Sequence, residues 1–238
     1  QQLKPVILLD ELTNRKLRRK YHVADEYDYR ENSIYKTYLA CDAVSDEILL
    51  RNHYRCNKKI IDFNNKKYYN SKLQVQSDSR ERQPLVYVNV DGGPGDMKNT
   101  SPAEVEEIMR YAGENPDKSI AVITPFVNQR ILIERGIKEN GFEHVVCGTV
   151  HAFQGDEKDV VLFSTALSDR TGKGTYDWLK NNKELINVAT SRAKDKLILL
   201  ADGKELERLH QGNEDDDLYE LVQYVKMNGE SKITEKHI

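Results

Sequence analysis

Residues Val145–Leu167, VVCGTVHAFQGDEKDVVLFSTAL, decide how the rest of the chain is read. Two runs rich in β-branched and apolar residues, Val145–Val150 and Val160–Thr165, have the length of buried strands. The polar stretch HAFQGDEKD separates them. Gly155 permits a positive φ or a close backbone approach by a ligand, and Gln154, Asp156 and Glu157 set hydrogen-bonding groups beside it. Loops at strand ends are where α/β folds bind ligands.

Strand-like runs recur on both sides, at Glu47–Arg51 (EILLR), Pro84–Val90, Ile120–Thr124 and Lys196–Ala201. Helical patterns lie between them. Ile60, Ile61, Phe63, Tyr68 and Tyr69 suit an amphipathic helix. Ser101-Pro102-Ala103-Glu104 has the S-x-x-E spacing of a capping box with Pro at the first helical position, opening a helix to about Gly113. Pro125–Asn140 reads as a helix closed by Gly141, and Lys183–Ala193 as another. This alternation predicts an α/β fold whose parallel sheet is covered on both faces. Ligands of such sheets bind at the carboxyl ends of the strands, where Arg55, the Gly155 loop and Arg192 are expected to converge.

Three other stretches carry expectations of structure alone. Glu11–Ala40 reads as one or two exposed helices whose tyrosines pack rather than stack on bases. SDRTGKGTYDWLKNN (168–182) reads as a flexible loop with Trp178 as a local packing anchor. Beyond Lys204 the pattern gives a terminal helix and a solvated tail around EDDD. The implied division is 1–46, a connector; 47–204, the main domain; and 205–238, helix and tail.

Composition bounds the function. The 238 residues carry a formal charge of -3, which argues against coating nucleic acid by bulk attraction. Residues 51–82 nevertheless hold nine Lys/Arg against three Asp/Glu, and 205–220 seven acidic residues against Arg208. The basic segment is a candidate for contacting phosphates. Cys41, Cys56 and Cys147 are widely spaced and form no CxxC, so neither a disulfide framework nor a zinc site is expected, and a reducing, cytoplasmic compartment fits. No apolar run approaches the roughly 20 residues of a membrane span. The glycines of DGGPGDMKN and the pair Gly172-Lys173 are rejected as phosphate loops, because neither completes GxxxxGK[ST].

Several of these segments carry a resemblance. TVHAFQGDEKDVVLFS resembles motif V of superfamily 1 helicases, and NVATSRAKDKLIL (Asn187–Leu199) resembles motif VI. HYRC resembles the Tyr-Arg element that opens motif IV. TPFVNQ is similar to the family's Thr-Pro-Tyr-x-x-Gln, with Phe126 for Tyr. Gln2, Leu3 and Pro5 match the Gln-Leu-x-Pro end of motif III, so the chain is expected to begin at the edge of a preceding domain. The subgroup of closest resemblance includes the RNA-surveillance helicases.

The resemblance implies a RecA-like core, the second of two that sandwich ATP, with roles carried over residue by residue. Arg192 is the arginine finger, Arg55 a second cation on the phosphates, and Gln2 a sensor of the terminal phosphate. Gly155 and Glu157 lie near the nucleotide, and Gln154 links nucleotide and nucleic acid. Thr149 contacts the backbone of a single strand of DNA or RNA; Thr124 either does the same or caps a helix. Leu167 stands where many relatives have Arg. ATP and Mg2+ are held mainly by the preceding RecA-like domain, which supplies the Walker loop and the paired Asp-Glu that this sequence lacks. Two other readings share the fold: a non-hydrolysing nucleic-acid-binding or regulatory module, and a nucleotide-binding domain unrelated to nucleic acid.

Overall fold

The computed structural model describes residues 7–40, 49–91, 93, 97–153 and 157–234, and divides after Leu50 into two compact units. The smaller holds α1 (Glu11–Tyr21), a short 3-10 turn at Asp25–Tyr27, and α2 (Ile34–Ala40). Asp10 caps α1 by accepting from the Thr13 amide (2.9 Å), and His22 closes it in the left-handed conformation. Asp28, buried, accepts from Asn14 (3.0 Å) and Arg18 (2.6 Å), tying the turn to α1. Tyr21, Tyr27, Tyr35 and Tyr38 are more exposed in this unit than the sequence suggests, because three short helical segments offer too little apolar surface to cover them, while Tyr29 is half-buried.

The larger unit begins at Arg51. A two-stranded parallel pair, β1 (Asn52–His53) and β2 (Gln74–Val75), brackets α3 (Lys58–Tyr68). Leu49–Arg51 is not strand, so the expected EILLR strand is replaced by this short pair one residue further on; Glu47 and Ile48 lie outside the described residues. There follow β3 (Leu85–Asn89), α4 (Pro102–Glu114), β4 (Ile120–Ile123), α5 (Val127–Asn140), β5 (Val145–Gly148), a 3-10 turn (Val150–Phe153) and β6 (Lys158–Ser164). The chain continues as α6 (Lys173–Lys180), α7 (Lys183–Thr190), β7 (Ala193–Ala201), α8 (Gly203–His210), α9 (Asp217–Asn228) and β8 (Glu230–Ile233). The main sheet is parallel throughout, in the order β5-β4-β6-β7-β3-β8.

Alternation along the strands sorts the core. Val86, Val88, Ile120, Val122, Val160, Leu162, Ile198 and Leu200 turn to one face, where Ile108 and Ala112 of α4 and Ile133 of α5 meet them. The intervening residues, such as Val161, Phe163, Leu197 and Leu199, are equally buried and belong to the opposite face, which α3, α7 and α9 cover. Burial on both faces is why these strands read as continuous apolar runs. Gly141 closes α5 at φ 67°, as the sequence predicts.

The capping box at Ser101 is half made. Ser101 Oγ accepts from the Glu104 amide (3.3 Å), yet the Glu104 carboxylate does not return the bond. It turns instead to the end of β6, and the Ser101 amide is satisfied by Gln129 Oε1 (2.8 Å).

Two expectations fail in this unit. The stretch 168–182 contains a helix, α6, whose Tyr176 and Leu179 are fully buried, while Trp178 is 48% exposed. Tyr176, not Trp178, is the anchor: the i, i+3 pair Tyr176 and Leu179 supplies the buried face that a loop would lack. Nor is EDDD a solvated tail. Asp216 and Asp217 are buried; Asp216 caps α9 through the Tyr219 amide (2.9 Å) and also accepts from Tyr176 (2.6 Å) and His210 (3.0 Å). α9 then packs on the sheet and β8 adds a strand to its edge, so the compact unit takes in 205–234 rather than ending at 204. At Gly229 a Cβ would fall 2.3 Å from the Leu85 carbonyl oxygen, which reserves that turn for glycine. Tyr176→Phe leaves buried Asp216 one donor short and is expected to cost about 1–3 kcal/mol, read as a lowered urea midpoint with unchanged slope.

Candidate nucleotide-facing site at the amino edge of the sheet

The site is built where α3 and β7 begin. Asn57 caps α3 by accepting from the Lys59 amide (3.0 Å), while its own amide donates to the Lys194 carbonyl (2.7 Å). The Cys56 thiol and Arg55 Nη1 both donate to the Ser191 carbonyl (3.3 Å each). The turn carrying Arg55 is thereby fixed to the residues on either side of Arg192. Behind it, Asn64 of α3 and Thr190 of α7 share a buried hydrogen-bond pair (2.8 and 3.0 Å), and Asn187 donates to the Tyr69 hydroxyl (3.2 Å). These amide and hydroxyl groups hold the helix of motif IV against that of motif VI, since a buried polar group left unmatched is costly.

Glu157 completes the cluster. Arg55 Nε donates to one carboxylate oxygen at 2.5 Å and Lys194 Nζ reaches the other at 3.1 Å. The Arg55 bond, then the Lys194 bond, holds the Glu157 carboxyl below its ordinary value. Arg192 is half-buried beside them; burial first, then the charge of Arg55, lowers its proton affinity, although a guanidinium remains cationic at neutral pH. Two guanidiniums and an ammonium so placed repel one another, and among the described residues the Glu157 carboxylate draws them together. The arrangement suits a phosphate, which an arginine's planar fork binds through two oxygens.

Supporting groups are chemically quiet. Burial pushes the Cys56 thiol up to about 12 despite Arg55 and Arg192 nearby, so it stays protonated. Burial and then Arg55 hold His53 below its ordinary value, and its Nε2 accepts from the Cys56 amide (3.0 Å).

Arg55, Glu157 and Arg192 do gather, but not at the carboxyl ends of the strands. Glu157 immediately precedes β6 and Arg192 immediately precedes β7; the Lys158 amide donates to the Arg192 carbonyl (3.1 Å), and Lys158 pairs in register with Ala193. A residue that leads into a strand of a parallel sheet sits at its amino edge, which corrects the expected rim. Thr149 and Thr124 lie at the other edge. Thr149 follows β5 and is half-buried, whereas Thr124 is fully buried, its amide donating to the Gly148 carbonyl (3.2 Å) and its Oγ1 accepting from the Phe126 amide (3.4 Å). Thr124 therefore shapes the turn into α5 and offers no exposed hydroxyl to nucleic acid. Gln2, Gln154 and Gly155 lie outside the described residues. Leu167 is fully buried.

Sequence reading missed Lys194, though its spacing of two from Arg192 at a strand start was a usable signal. Among the described residues no group of three His, Cys, Asp or Glu is placed to hold a metal ion, and no helix is long and apolar enough to cross a membrane.

A parallel sheet sandwiched between helices, with Arg55 of motif IV, Glu157 of motif V and Arg192 of motif VI gathered at one edge, defines a RecA-like motor domain of the superfamily 1 helicases. The chain belongs to the AAA domain family (AAA_12), whose model matches residues 30–204. It is 28% identical over 197 residues to the 3'-5' exoribonuclease HELZ2 of Mus musculus, covering 66% of this chain and 7% of that protein. It is likewise 28% identical over 216 residues to the uncharacterized ATP-dependent helicase MJ0104 of Methanocaldococcus jannaschii, covering 79% and 31%. With the regulator of nonsense transcripts 1 homolog of Drosophila melanogaster the identity is 27%, over 64% of this chain and 15% of that protein. The chain thus spans less than a third of these relatives. Among solved structures, the C-terminal domain of a possible DNA helicase from Lactobacillus plantarum matches with a TM-score of 0.45 and 17% identity, covering 76% of this chain and 99% of that one.

Proposed function

We propose that this chain is the C-terminal motor domain of an ATP-dependent superfamily 1 helicase, working on single-stranded DNA or RNA in a reducing, cytoplasmic compartment. The observation that carries the reading is the meeting of Arg55, Glu157, Arg192 and Lys194 at the amino edges of β6 and β7. In phosphoryl transfer the protein's contribution is positioned charge around the departing phosphoryl group. Arg192 is the arginine finger. Arg55, its Nε fixed by Glu157 and its Nη1 by the Ser191 carbonyl, presents its remaining N–H groups to the same phosphates, and Lys194 shares the restraint on Glu157.

ATP and Mg2+ are held mainly by a preceding RecA-like domain; Gln2 belongs to the seam between the two, and Gly155 lies beside the nucleotide. Held there, Mg2+ would supply positive charge to offset that of the phosphates. Nucleic acid runs along the carboxyl edge, over Thr149. The connection from Thr149 to Glu157 leaves β5 at that edge and joins β6 at the other, so Gln154 lies on the segment that links strand grip to nucleotide state.

The chain alone should show no ATPase stimulated by single strands. A polypeptide joining it to a domain bearing GxxxxGK[ST] should gain that activity. Turnover by the 238 residues alone, or none from the joined form, would count against the reading; binding of single strands without any turnover in the joined form would favour a regulatory module instead.

A further inference from the structure

Trp178 is the chain's single tryptophan, and it stands 48% exposed on a helix whose Tyr176 and Leu179 are fully buried. Helix α6 leaves the carboxyl end of β6 after a turn in which the Ser168 amide donates to Thr171 Oγ1 (2.9 Å) and the Thr171 amide to the Ser168 carbonyl (2.9 Å). The indole leans on Phe126, with ring centroids 6.1 Å apart and planes at 44°. Phe126 in turn is tied to the Thr124 hydroxyl, and the Thr124 amide to the Gly148 carbonyl, the residue before Thr149. An unbroken chain of contacts therefore sets the indole on the rim that carries Thr149.

The exposed residues on the elements that flank it are of mixed character. Val127 and Ile131 of α5, exposed at 55% and 47%, extend the apolar strip along one helical face. Lys98, whose carbonyl accepts from Asn128 at the start of α5 (2.9 Å), and Lys173 in the first turn of α6 are exposed and make no ion pair among the described residues. A large ring propped from one side, with exposed lysines on α6 itself and on the segment bonded to the start of α5, matches a base with its phosphates better than it matches an apolar protein face, which would leave both lysines unmatched.

We propose that Trp178, backed by Phe126, is a stacking platform for one base of the bound single strand. This rests on the nucleic-acid reading above and adds to it the residue that holds a base rather than a phosphate.

The test exploits the lone indole, since stacking on a base quenches its emission. The 238-residue chain is titrated at low salt with labelled oligo-deoxythymidylate and with oligo-uridylate, reading strand anisotropy and tryptophan emission together. Emission should fall in step with anisotropy. Trp178→Ala should weaken binding roughly five- to hundredfold with an unchanged thermal midpoint, and Trp178→Phe should keep most of the affinity. Thr149→Ala should weaken binding while the quenching at saturation stays that of the parent. Binding with unaltered emission and an unaffected Trp178→Ala variant overturns the platform, leaves the nucleic-acid reading intact and assigns the ring to another partner. No binding of either strand overturns both.

Discussion

Arg192→Ala, made in a protein that joins this chain to a domain bearing GxxxxGK[ST], should lower strand-stimulated ATP turnover by on the order of 10³ to 10⁵. That corresponds to about 4–7 kcal/mol of barrier. Nucleotide affinity should stay within about tenfold, because a finger acts on charge that develops only as the phosphoryl group departs. The position of Arg192 makes the prediction sharp. It occupies the last step before β7, its carbonyl is engaged by the Lys158 amide, and the carbonyl of the preceding Ser191 holds both Arg55 and Cys56. The backbone there is over-determined, so truncating the side chain removes a guanidinium without loosening the edge. Arg192→Lys should rescue little, since an ammonium cannot donate to two phosphate oxygens through a planar fork. Turnover within tenfold of the parent in the alanine variant would remove the finger assignment. An equal collapse of nucleotide affinity would make Arg192 a ground-state binder instead.

What could be read from the sequence, and what could not, follows from how each segment earns its burial. Strands β3, β4, β6 and β7 were legible because both faces of each are covered, which forces runs such as IAVI and KLILLA, whereas β5, at the edge of the sheet with Val146 40% exposed, was legible from its β-branched run. Their edges were not, since a run of apolar residues does not reveal which end of a strand a neighbouring motif occupies; the general rule for parallel sheets points to the carboxyl side, while Arg192 and Glu157 stand at the amino side. Helix α6 was hidden by its glycines and lysines, although Tyr176 and Leu179 fall on one face. Helix α9 was hidden by EDDD, yet Leu218, Leu221, Val222 and Val225 recur at helical spacing behind an aspartate suited to capping. Charge runs mislead when one member is a cap, because a buried carboxylate bonded to amide and hydroxyl donors looks identical in sequence to a solvated one. The same ambiguity covers Glu104, which local spacing assigned to its own helix and the fold gives to β6.

Glu104 should make the fold sensitive to pH in an unusual direction. Its carboxylate is fully buried between α4 and the end of β6, where Ser164 Oγ (2.5 Å), Thr165 Oγ1 (3.3 Å) and the Ala166 amide (3.0 Å) meet it. Gln129 of α5 donates to Ser164 Oγ (3.0 Å). Ala166 adopts φ 51°, a left-handed conformation that this carboxylate helps to hold. Desolvation dominates and raises the group from an ordinary 4.5 to about 8; the hydrogen bonds oppose that rise and the charge of Asp202, the cap of α8, adds to it. The folded state therefore keeps a proton that the unfolded chain gives up. Stability from this group is complete below about pH 4.5 and is lost as pH climbs toward 8, by on the order of 4–5 kcal/mol over that interval. His53, held below its ordinary value, acts in the opposite sense, gaining stability as pH rises through its titration. Comparing the parent with Glu104→Gln cancels His53 and isolates the carboxyl. Urea unfolding at about pH 5.5 and about pH 7.5 should show the parent losing roughly 1.4 kcal/mol per pH unit relative to the variant, so that the glutamine form gains ground as the solution becomes more alkaline. Parallel curves would mean that Glu104 is ionised in the native protein, stabilised by the Ala166 amide and the two hydroxyls strongly enough to outweigh the loss of water.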